Sequence, residues 1–286
     1  MLGSNPNLST ESNSLRPGEG WHCSHFFYRF NRTALKDLLG SPRNLESENL
    51  KSEFCRLLEP AGQDRPHRMQ IGWVAGHKAD FSLMMMDPEP LPIETVHQNL
   101  LASPIGVAID TTWSYVSISE VSEYAQTVDQ YAQRLITEGS DVNTSEFETK
   151  LNQYRQRLEK MNYQRLTPDF PNWPVSCFYP MNKWRLPTAN WFSLPASERH
   201  RLMLEHARSG IKFGGKVSQL ITTGIGLDDW EWGVTLWATN PMYLKQIVYE
   251  MRFDEASAKY AEFGPFYTSY LSTPEKIWEV AGLNCQ

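Results

Sequence analysis

The stretch CFYPMNKWR, at positions 177–185, opens the part of the chain on which the fold prediction depends. Aromatic and β-branched residues predict a strand over 175–181. A helix, a two-stranded hairpin, a second helix and a last strand are predicted to follow, over 195–208, 216–223 with 230–238, 241–251 and 262–271. Apolar spacing within these segments and turn residues between them support the assignment. The C-terminal half therefore has the order β-α-β-β-α-β.

The N-terminal half repeats this order. Strands are predicted over 21–30 and 111–121, a hairpin over 68–76 with 80–86, and helices over 92–101 and over a run that ends at Leu58. The first helical run is interrupted near Gly40, Ser41 and Pro42. Two such units in one chain predict an α+β fold built from tandem ferredoxin-like repeats.

Composition divides the chain into four segments. Residues 1–19 are rich in Ser, Asn, Pro and Gly and carry few large apolar groups, which predicts a disordered tail. The two ferredoxin-like halves then occupy 20–123 and 174–286. Between them, residues 124–173 form a predicted helical linker, because Glu, Gln, Lys and Arg fill most positions of its first part.

Charge, cysteine spacing and hydropathy exclude several classes of protein. The net charge is −6, whereas a nucleic-acid binder needs a basic face. The four cysteines are widely spaced and form no CxxC pair, which argues against a zinc site and a disulfide framework. No window approaches ~20 consecutive apolar residues, and the N-terminus lacks the basic and apolar regions of a secretion signal. We expect a cytoplasmic protein without a membrane span.

His206 lies in the last turn of the helix predicted over 195–208. A histidine there can be a core-edge residue, a cation favoured by the helix C-terminal dipole, or a metal ligand. His200 lies on another face, so the helix carries no two-histidine metal motif. A metal bound through His206 alone would need a cofactor that supplies the other ligands, and haem is the usual case.

Five other polar side chains each allow two interpretations. Tyr179 and Lys183 are either residues of a sheet surface and a loop, or a phenol and an amine that exchange electrons and protons. The amide of Gln219 is either satisfied in the core or presented to a ligand. Arg165 and Arg252 either form surface salt bridges or clamp carboxylates.

The loop between the two strands of the last hairpin contains Asp228 and Asp229. We expect these carboxylates to accept hydrogen bonds from the turn backbone rather than to form a paired-carboxylate site. The nearby Trp230, Trp232 and Trp237 are expected to pack in the core.

Several motifs occur together: YPMNK at 179–183, NWF at 190–192, EH at 205–206, GKV at 215–217, GLDDWEWG at 226–233 and, in the first half, GHKAD at 76–80. Together they resemble the chlorite dismutase superfamily, and within it the coproheme decarboxylase branch. The resemblance is most specific over 179–267. It implies that the two halves form a dimeric α+β barrel, usually assembled as a homopentamer, with porphyrin in the C-terminal half.

The resemblance also assigns roles to individual residues. His206 would be the proximal haem iron ligand and Gln219 the distal-side residue. Tyr179 would become a radical, and Lys183 would be its proton partner beside the reacting propionate. The resemblance also implies substrate-binding residues. Arg165, Arg252 and Ser257 would contact the propionates, and Trp191 matches a tryptophan close to the substrate. Trp184 departs from the family pattern, because a basic residue is common after the lysine.

The implied reaction is the hydrogen peroxide-dependent oxidative decarboxylation of iron-coproporphyrin III (coproheme), in which two propionates become vinyls and haem b is formed. Coproheme is then both substrate and redox cofactor, and coproporphyrin ferrochelatase is a possible transient partner. One alternative is a chlorite dismutase-like haem enzyme, against which Gln219 argues because that chemistry is associated with a distal arginine. Another is a haem-binding or sensing protein, which would not need Tyr179 and Lys183 together.

Overall fold

The computed structural model describes residues 14–39 and 44–283. The predicted interruption near Gly40, Ser41 and Pro42 lies outside the described residues, as do residues 1–13 of the predicted tail. The first half contains β1 (His22–Phe30), α1 (Arg32–Leu39), α2 (Asn44–Leu58), β2 (Arg68–Val74), β3 (Phe81–Asp87), α3 (Pro90–Ala102) and β4 (Ile109–Ser119). Two linking helices follow, α4 (Val128–Thr137) and α5 (Ser145–Leu166). The second half contains β5 (Val175–Lys183), β6 (Arg185–Leu186), β7 (Ala189–Asn190), α6 (Ala196–Ile211), β8 (Val217–Thr223), β9 (Trp232–Ala238), α7 (Pro241–Met251), α8 (Glu255–Tyr260), β10 (Ala261–Phe263), β11 (Tyr267–Leu271) and α9 (Pro274–Val280).

Hydrogen bonds join nine strands from both halves into one antiparallel sheet with the order β10-β5-β11-β2-β3-β1-β4-β8-β9, and β6 and β7 form a separate two-stranded sheet. Within the nine-stranded sheet, each half keeps the strand order of a β-α-β-β-α-β unit, β2-β3-β1-β4 in the first and β8-β9-β5-β11 in the second. β9, the last strand in this order, also pairs with β5, which lies near the other end of the order. The hydrogen-bonded pairings from β5 to β9 therefore close on themselves. The predicted α+β class is confirmed.

Side chains of β5 alternate between the two faces of the sheet. Cys177 and Tyr179 join the core beneath α7, which includes Ile247. Phe178 points to the opposite face and packs in an aromatic cluster with Phe27. The alternation of side chains decides which residues of the CFYPMNKWR stretch reach the helix side of the sheet.

A broken strand replaces the single last strand predicted over 262–271. β10 and β11 are separated by residues 264–266, and the short helix α8 precedes them. Gly264 packs so closely that a Cβ there would lie 2.6 Å from Cγ of Pro180 and 2.9 Å from the ring of Trp230. The close packing at this glycine and the proline that follows it interrupt the ladder.

The predicted linker contains two helices that pack on each other. A capping box of Thr127 and Gln130 begins α4, and the contact between α4 and α5 buries Leu135, Phe147 and Leu151. α5 is the longest described helix. Neither it nor any other described helix is long and apolar enough to cross a membrane.

Residues 14–19, which the sequence assigns to the tail, contact the first half. Nε of Arg16 donates to Oε1 of Glu89 at 2.6 Å, and Oε1 of Glu19 accepts a hydrogen bond from the backbone N–H of Val121 at 3.2 Å. Side chains that bond to ordered elements hold this short segment against the domain.

The loop between β8 and β9 has the hydrogen bonds expected of a turn. Oδ1 of Asp228 accepts from the N–H of Asp229 at 2.8 Å, and Oδ2 accepts from the N–H of Val116 at 3.0 Å. The carboxylate of Asp228 therefore satisfies backbone donors, as predicted.

Candidate functional site

His206 on α6 presents one ring nitrogen to a buried carboxylate. Its Nδ1 lies 2.9 Å from Oδ2 of Asp254 and 3.3 Å from Oγ of Ser257. Because the carboxylate accepts a proton held on Nδ1, Nε2 is the ring nitrogen that is left to bind a metal. His206 also lines two cavities. The arrangement makes Nε2 a suitable metal ligand.

Asp254 is a site residue that the sequence analysis missed. Its carboxylate is buried and caps α8 by accepting a hydrogen bond from the N–H of Ser257 at 2.9 Å. Burial by itself would raise the pKa of Asp254, but the hydrogen bond and charge of His206 and the bonds from Ser257 hold that pKa below its usual value. The only signal in the sequence was an N-cap pattern, Asp followed three residues later by Ser.

We expect Asp254→Ala to lower the free energy of unfolding by about 1–3 kcal/mol, because the change removes an N-cap and leaves buried donors without a partner. Asp254→Asn keeps a capping oxygen, so its loss should be smaller. Urea unfolding followed by circular dichroism measures both. The carboxylate stabilises the fold above its unfolded pKa, and that stabilisation is lost as the pH falls through the lower folded pKa. Equal stability of wild type and Asp254→Ala at pH 7 would contradict the assignment.

Two adjoining cavities meet at His206. Their volumes are about 1100 and 1140 Å³, including space open to solvent. We call them the Gln219 cavity and the Lys183 cavity, after a residue that lines only one of the two. Both are lined by Ser122, Tyr124, Arg165, Met203, His206 and Ile221. The Lys183 cavity also includes Trp191 and Ser257.

Lys183 carries a perturbed ammonium group. Burial lowers its pKa to about 8, against the opposing effect of the carboxylates of Asp254 and Glu231. Its Nζ lies 4.2 Å from the ring centroid of Trp191 and 3.4 Å from the carbonyl oxygen of Ala256. An amine with a pKa near 8 exchanges protons readily near neutral pH. Lys183 is therefore suited to proton transfer within its cavity.

Gln219 and Arg165 reach the cavities from two different elements. Gln219 is an exposed residue of β8 and lines the Gln219 cavity, so its amide is presented to the cavity and not satisfied in the core. Arg165 lies in the last turn of α5 and lines both cavities. Burial lowers the pKa of Arg165, while the charge of Glu120 acts in the opposite direction. A guanidinium remains charged under such conditions.

Tyr179 and Arg252 are not among the residues that line either cavity. Tyr179 is 5% exposed, and its ring lies 5.8 Å from that of Phe263. Burial raises the pKa of the Tyr179 phenol, and the charge of Arg252 acts in the opposite direction. The Arg252 guanidinium lies 5.1 Å from the ring centroid of Phe263, which lines the Lys183 cavity. Phe263 therefore lies next to both Tyr179 and Arg252 and also lines the Lys183 cavity.

The cavity walls also contain aromatic residues that the sequence analysis did not assign to a site, and Tyr124 and Trp232 are two of them. Tyr124, which follows β4, lines both cavities, and Trp232 lines the Lys183 cavity. Trp230, Trp232 and Trp237 were expected in the core, and of these three only Trp237 is fully buried. Trp232 and Trp237 are five residues apart on β9. Because side chains alternate between the faces of a strand, the two rings point to opposite faces of the sheet.

The donor set at His206 restricts what can bind there. In the described part of the chain, no group of three or more His, Cys, Asp or Glu side chains could hold a metal ion. A metal bound at Nε2 of His206 would then need a cofactor that supplies its other ligands.

Comparisons with known proteins show which proteins this chain is similar to. A family model described as chlorite dismutase matches residues 47–272. A coproheme decarboxylase from Staphylococcus carnosus (strain TM300) is 34% identical over 259 residues, which cover 91% of this chain and 94% of that protein. A solved structure of a heme-binding protein from Thermus thermophilus is 34% identical, with a TM-score of 0.69 over 93% of this chain and 95% of that one.

A chlorite dismutase variant from Candidatus Nitrospira defluvii is 14% identical, with a TM-score of 0.67 over 92% of this chain and 96% of that one. At this identity the likeness shows the fold alone. The family model, by contrast, covers well over half of the chain. On that match and on the 34% identity to the Staphylococcus carnosus protein, the chain belongs to the chlorite dismutase family.

Proposed function

We propose that this protein catalyses the hydrogen peroxide-dependent oxidative decarboxylation of coproheme to haem b. The observation that carries the proposal is the meeting of a histidine ligand and two cations at one site. His206 has its Nδ1 held by Asp254, and Arg165 and Lys183 line the cavities beside it. The 34% identity to a coproheme decarboxylase supports the same substrate.

The residues present fit an anionic iron porphyrin. An imidazole with a free Nε2 is a common protein ligand of haem iron, and the apolar side chains of Met203 and Ile221 line both cavities. Arg165 and Lys183 supply positive charge for carboxylates. When bound, the iron porphyrin supplies the redox chemistry with hydrogen peroxide.

The reaction balances with peroxide as the only oxidant. A propionate that becomes a vinyl group loses carbon dioxide, one proton and two electrons. One hydrogen peroxide takes up two electrons and two protons and gives two waters. Each step therefore consumes one peroxide and one net proton, and two steps convert coproheme to haem b. A residue that delivers protons is required at the site.

We assign the two catalytic roles to Tyr179 and Lys183. Tyr179, once oxidised to a radical, takes a hydrogen atom from the β-carbon of a propionate. Lys183, with a pKa lowered by burial to about 8, delivers protons. The two residues are four apart on β5 and so share one face of the strand. Arg165, Arg252 and Ser257 are proposed to hold the propionates, and Trp191 to pack on the ammonium of Lys183.

Gln219 distinguishes this proposal from chlorite dismutase activity. Chlorite chemistry is associated in the family with a distal arginine, and the side chain that β8 presents to the cavity here is an uncharged amide. A haem-binding protein without turnover is the second alternative. The solved structure from Thermus thermophilus is described as that of a heme-binding protein.

Mass spectrometry of the porphyrin tests the proposal. Purified protein is mixed with coproheme and titrated with hydrogen peroxide, and we expect stepwise loss of two carboxyl groups that ends at haem b. The same mixture without peroxide should keep all four propionates. Bound coproheme that only bleaches as peroxide is added would reject the enzyme and leave a binding protein.

The low pKa of Lys183 predicts how porphyrin affinity depends on pH. Lys183 is charged below about pH 8 and neutral above it, so attraction for a propionate is present below that pH and lost as the pH rises through it. We expect the affinity for metal-free coproporphyrin III to fall between pH 7 and 9, by at most about tenfold per pH unit for one proton. Quenching of porphyrin fluorescence measures the binding. Lys183→Met should remove this fall in affinity between pH 7 and 9. The same fall in that variant would contradict the assignment.

The arrangement of the sheet also bears on assembly. The return of strand pairing to β5 supports the closed α+β barrel that the family resemblance implies. A homopentamer, a contact with coproporphyrin ferrochelatase and a cytoplasmic location stay predictions. Size-exclusion chromatography with light scattering tests the pentamer.

A further inference from the structure

The GHKAD motif at 76–80 lies in the turn between β2 and β3, in the half of the chain that does not contain His206. Nζ of Lys78 donates a hydrogen bond to the carbonyl oxygen of Phe266 at 2.7 Å. The same Nζ lies 5.3 Å from the ring centroid of Tyr267. The first half therefore reaches the connection between β10 and β11 in the second.

The turn that carries Lys78 is held on both sides. Nη2 of Arg29 donates to the carbonyl oxygens of His77 and Lys78. Oδ2 of Asp80 accepts from the N–H of Phe30 at 2.7 Å, and Ala79 is 1% exposed. The backbone of Lys78 is thus tied to β1, and its side chain extends from a fixed base.

The connection that Lys78 contacts forms part of the surroundings of Tyr179. The ring of Phe266 stacks on that of Tyr179 with 4.5 Å between centroids and 24° between planes. The N–H of Gly264 donates to the carbonyl oxygen of Pro180 at 2.9 Å, which ties the connection to β5 at its other end. Lys78 therefore holds the backbone of the residue whose ring covers the phenol ring.

The charge of Lys78 also influences the pKa of Cys177, a residue of the strand that carries Tyr179. Burial raises the pKa of Cys177 to about 12, and the hydrogen bond with Thr268 and the charge of Lys78 act in the opposite direction. Cys177 and Tyr179 join the same core beneath α7. The ammonium group therefore lies close enough to influence this part of β5.

We propose that Lys78 is a positioning residue for Tyr179, because its ammonium fixes the carbonyl of Phe266 and so the ring that stacks on the phenol. The inference rests on the proposed function only for the part that Tyr179 plays in turnover. The N-terminal half would then contribute a side chain to the geometry of a reaction carried out in the C-terminal half.

Fluorine NMR of the ligand-free protein tests the positioning separately from activity. 3-Fluorotyrosine is incorporated at position 179, and the resonance is compared in wild type, Lys78→Met and Lys78→Arg. Methionine keeps the apolar stem but cannot donate to the carbonyl, so we expect the resonance of Lys78→Met to shift and broaden. Arginine can donate, so Lys78→Arg should restore it. Lys245→Met, which removes an exposed lysine of α7, is the matched control and should leave the resonance unchanged.

Turnover and binding of the same variants complete the test. In Lys78→Met we expect coproheme decarboxylation to fall about tenfold, because a small displacement of a reacting group is costly, with unchanged affinity for metal-free coproporphyrin III. A wild-type resonance in Lys78→Met would overturn the proposal, and so would a parallel fall in porphyrin affinity and melting temperature. If the wild type itself does not decarboxylate coproheme, the proposed function fails while the resonance still tests the positioning.

Discussion

Replacing Tyr179 by Phe is expected to slow the decarboxylation of coproheme by orders of magnitude and to leave coproheme bound. The substitution removes only the hydroxyl group and keeps the ring that packs against Phe263 and Phe266. The core beneath α7 should therefore survive. Without the phenol no hydrogen acceptor remains at this position, and we expect turnover to fall by about 10²–10⁴-fold, the range for loss of a positioned proton-transfer group.

Single-turnover mass spectrometry after one addition of peroxide measures this loss, and the absorption spectrum of the ferric complex measures binding. Tyr270→Phe is a suitable control, because Tyr270 packs against the same core from β11. That variant should turn over at the wild-type rate. Undiminished decarboxylation by Tyr179→Phe would remove Tyr179 from the mechanism and return it to the structural interpretation that its burial also permits.

Replacing His206 by Ala is expected to remove the protein ligand of the iron. We expect the affinity for ferric coproheme to fall by more than about a hundredfold, since loss even of a residue that only orients a ligand costs 10–100-fold. Affinity for metal-free coproporphyrin III should change much less, because that porphyrin has no iron to coordinate. The difference between the two porphyrins separates ligation from packing.

Added imidazole gives a second measurement on the His206→Ala variant. A free imidazole fits the space left by the side chain and should restore the wild-type ferric spectrum. An unaltered spectrum in His206→Ala without imidazole would refute ligation by His206. Asp254→Asn is an informative companion, because it keeps the ligand and weakens the hydrogen bond to Nδ1.

The order of the elements was predictable because it depends on local patterns. Apolar spacing of 3.6 or 2 residues and the positions of Gly and Pro are properties of short segments. They located the main helices and strands of both halves. The short elements α8, α9, β6 and β7 were not predicted, because a few residues carry too little periodicity to be recognised.

The surroundings of each site residue were not predictable in the same way. The sequence pattern left Gln219 open between core and cavity, and the position of β8 places it at a cavity. The pattern placed Tyr179 and Lys183 on one face of a strand. It did not show that Tyr179 is buried next to Phe263 while Lys183 lines the cavity, because that depends on how β10 pairs with β5.

The amino-acid sequence by itself determined the α+β class, the repeat of the β-α-β-β-α-β order and the motifs that resemble the chlorite dismutase family. Only the tertiary structure decided which nitrogen of His206 is left to bind a metal and what lowers the pKa of Lys183. It also decided that Lys78 contacts Phe266, whose ring stacks on Tyr179. The physical reason is the distance along the chain over which these contacts form. His206 and Asp254 are 48 residues apart, and Lys78 and Phe266 are 188 apart. Such pairs meet through the packing of whole elements, which no local pattern encodes.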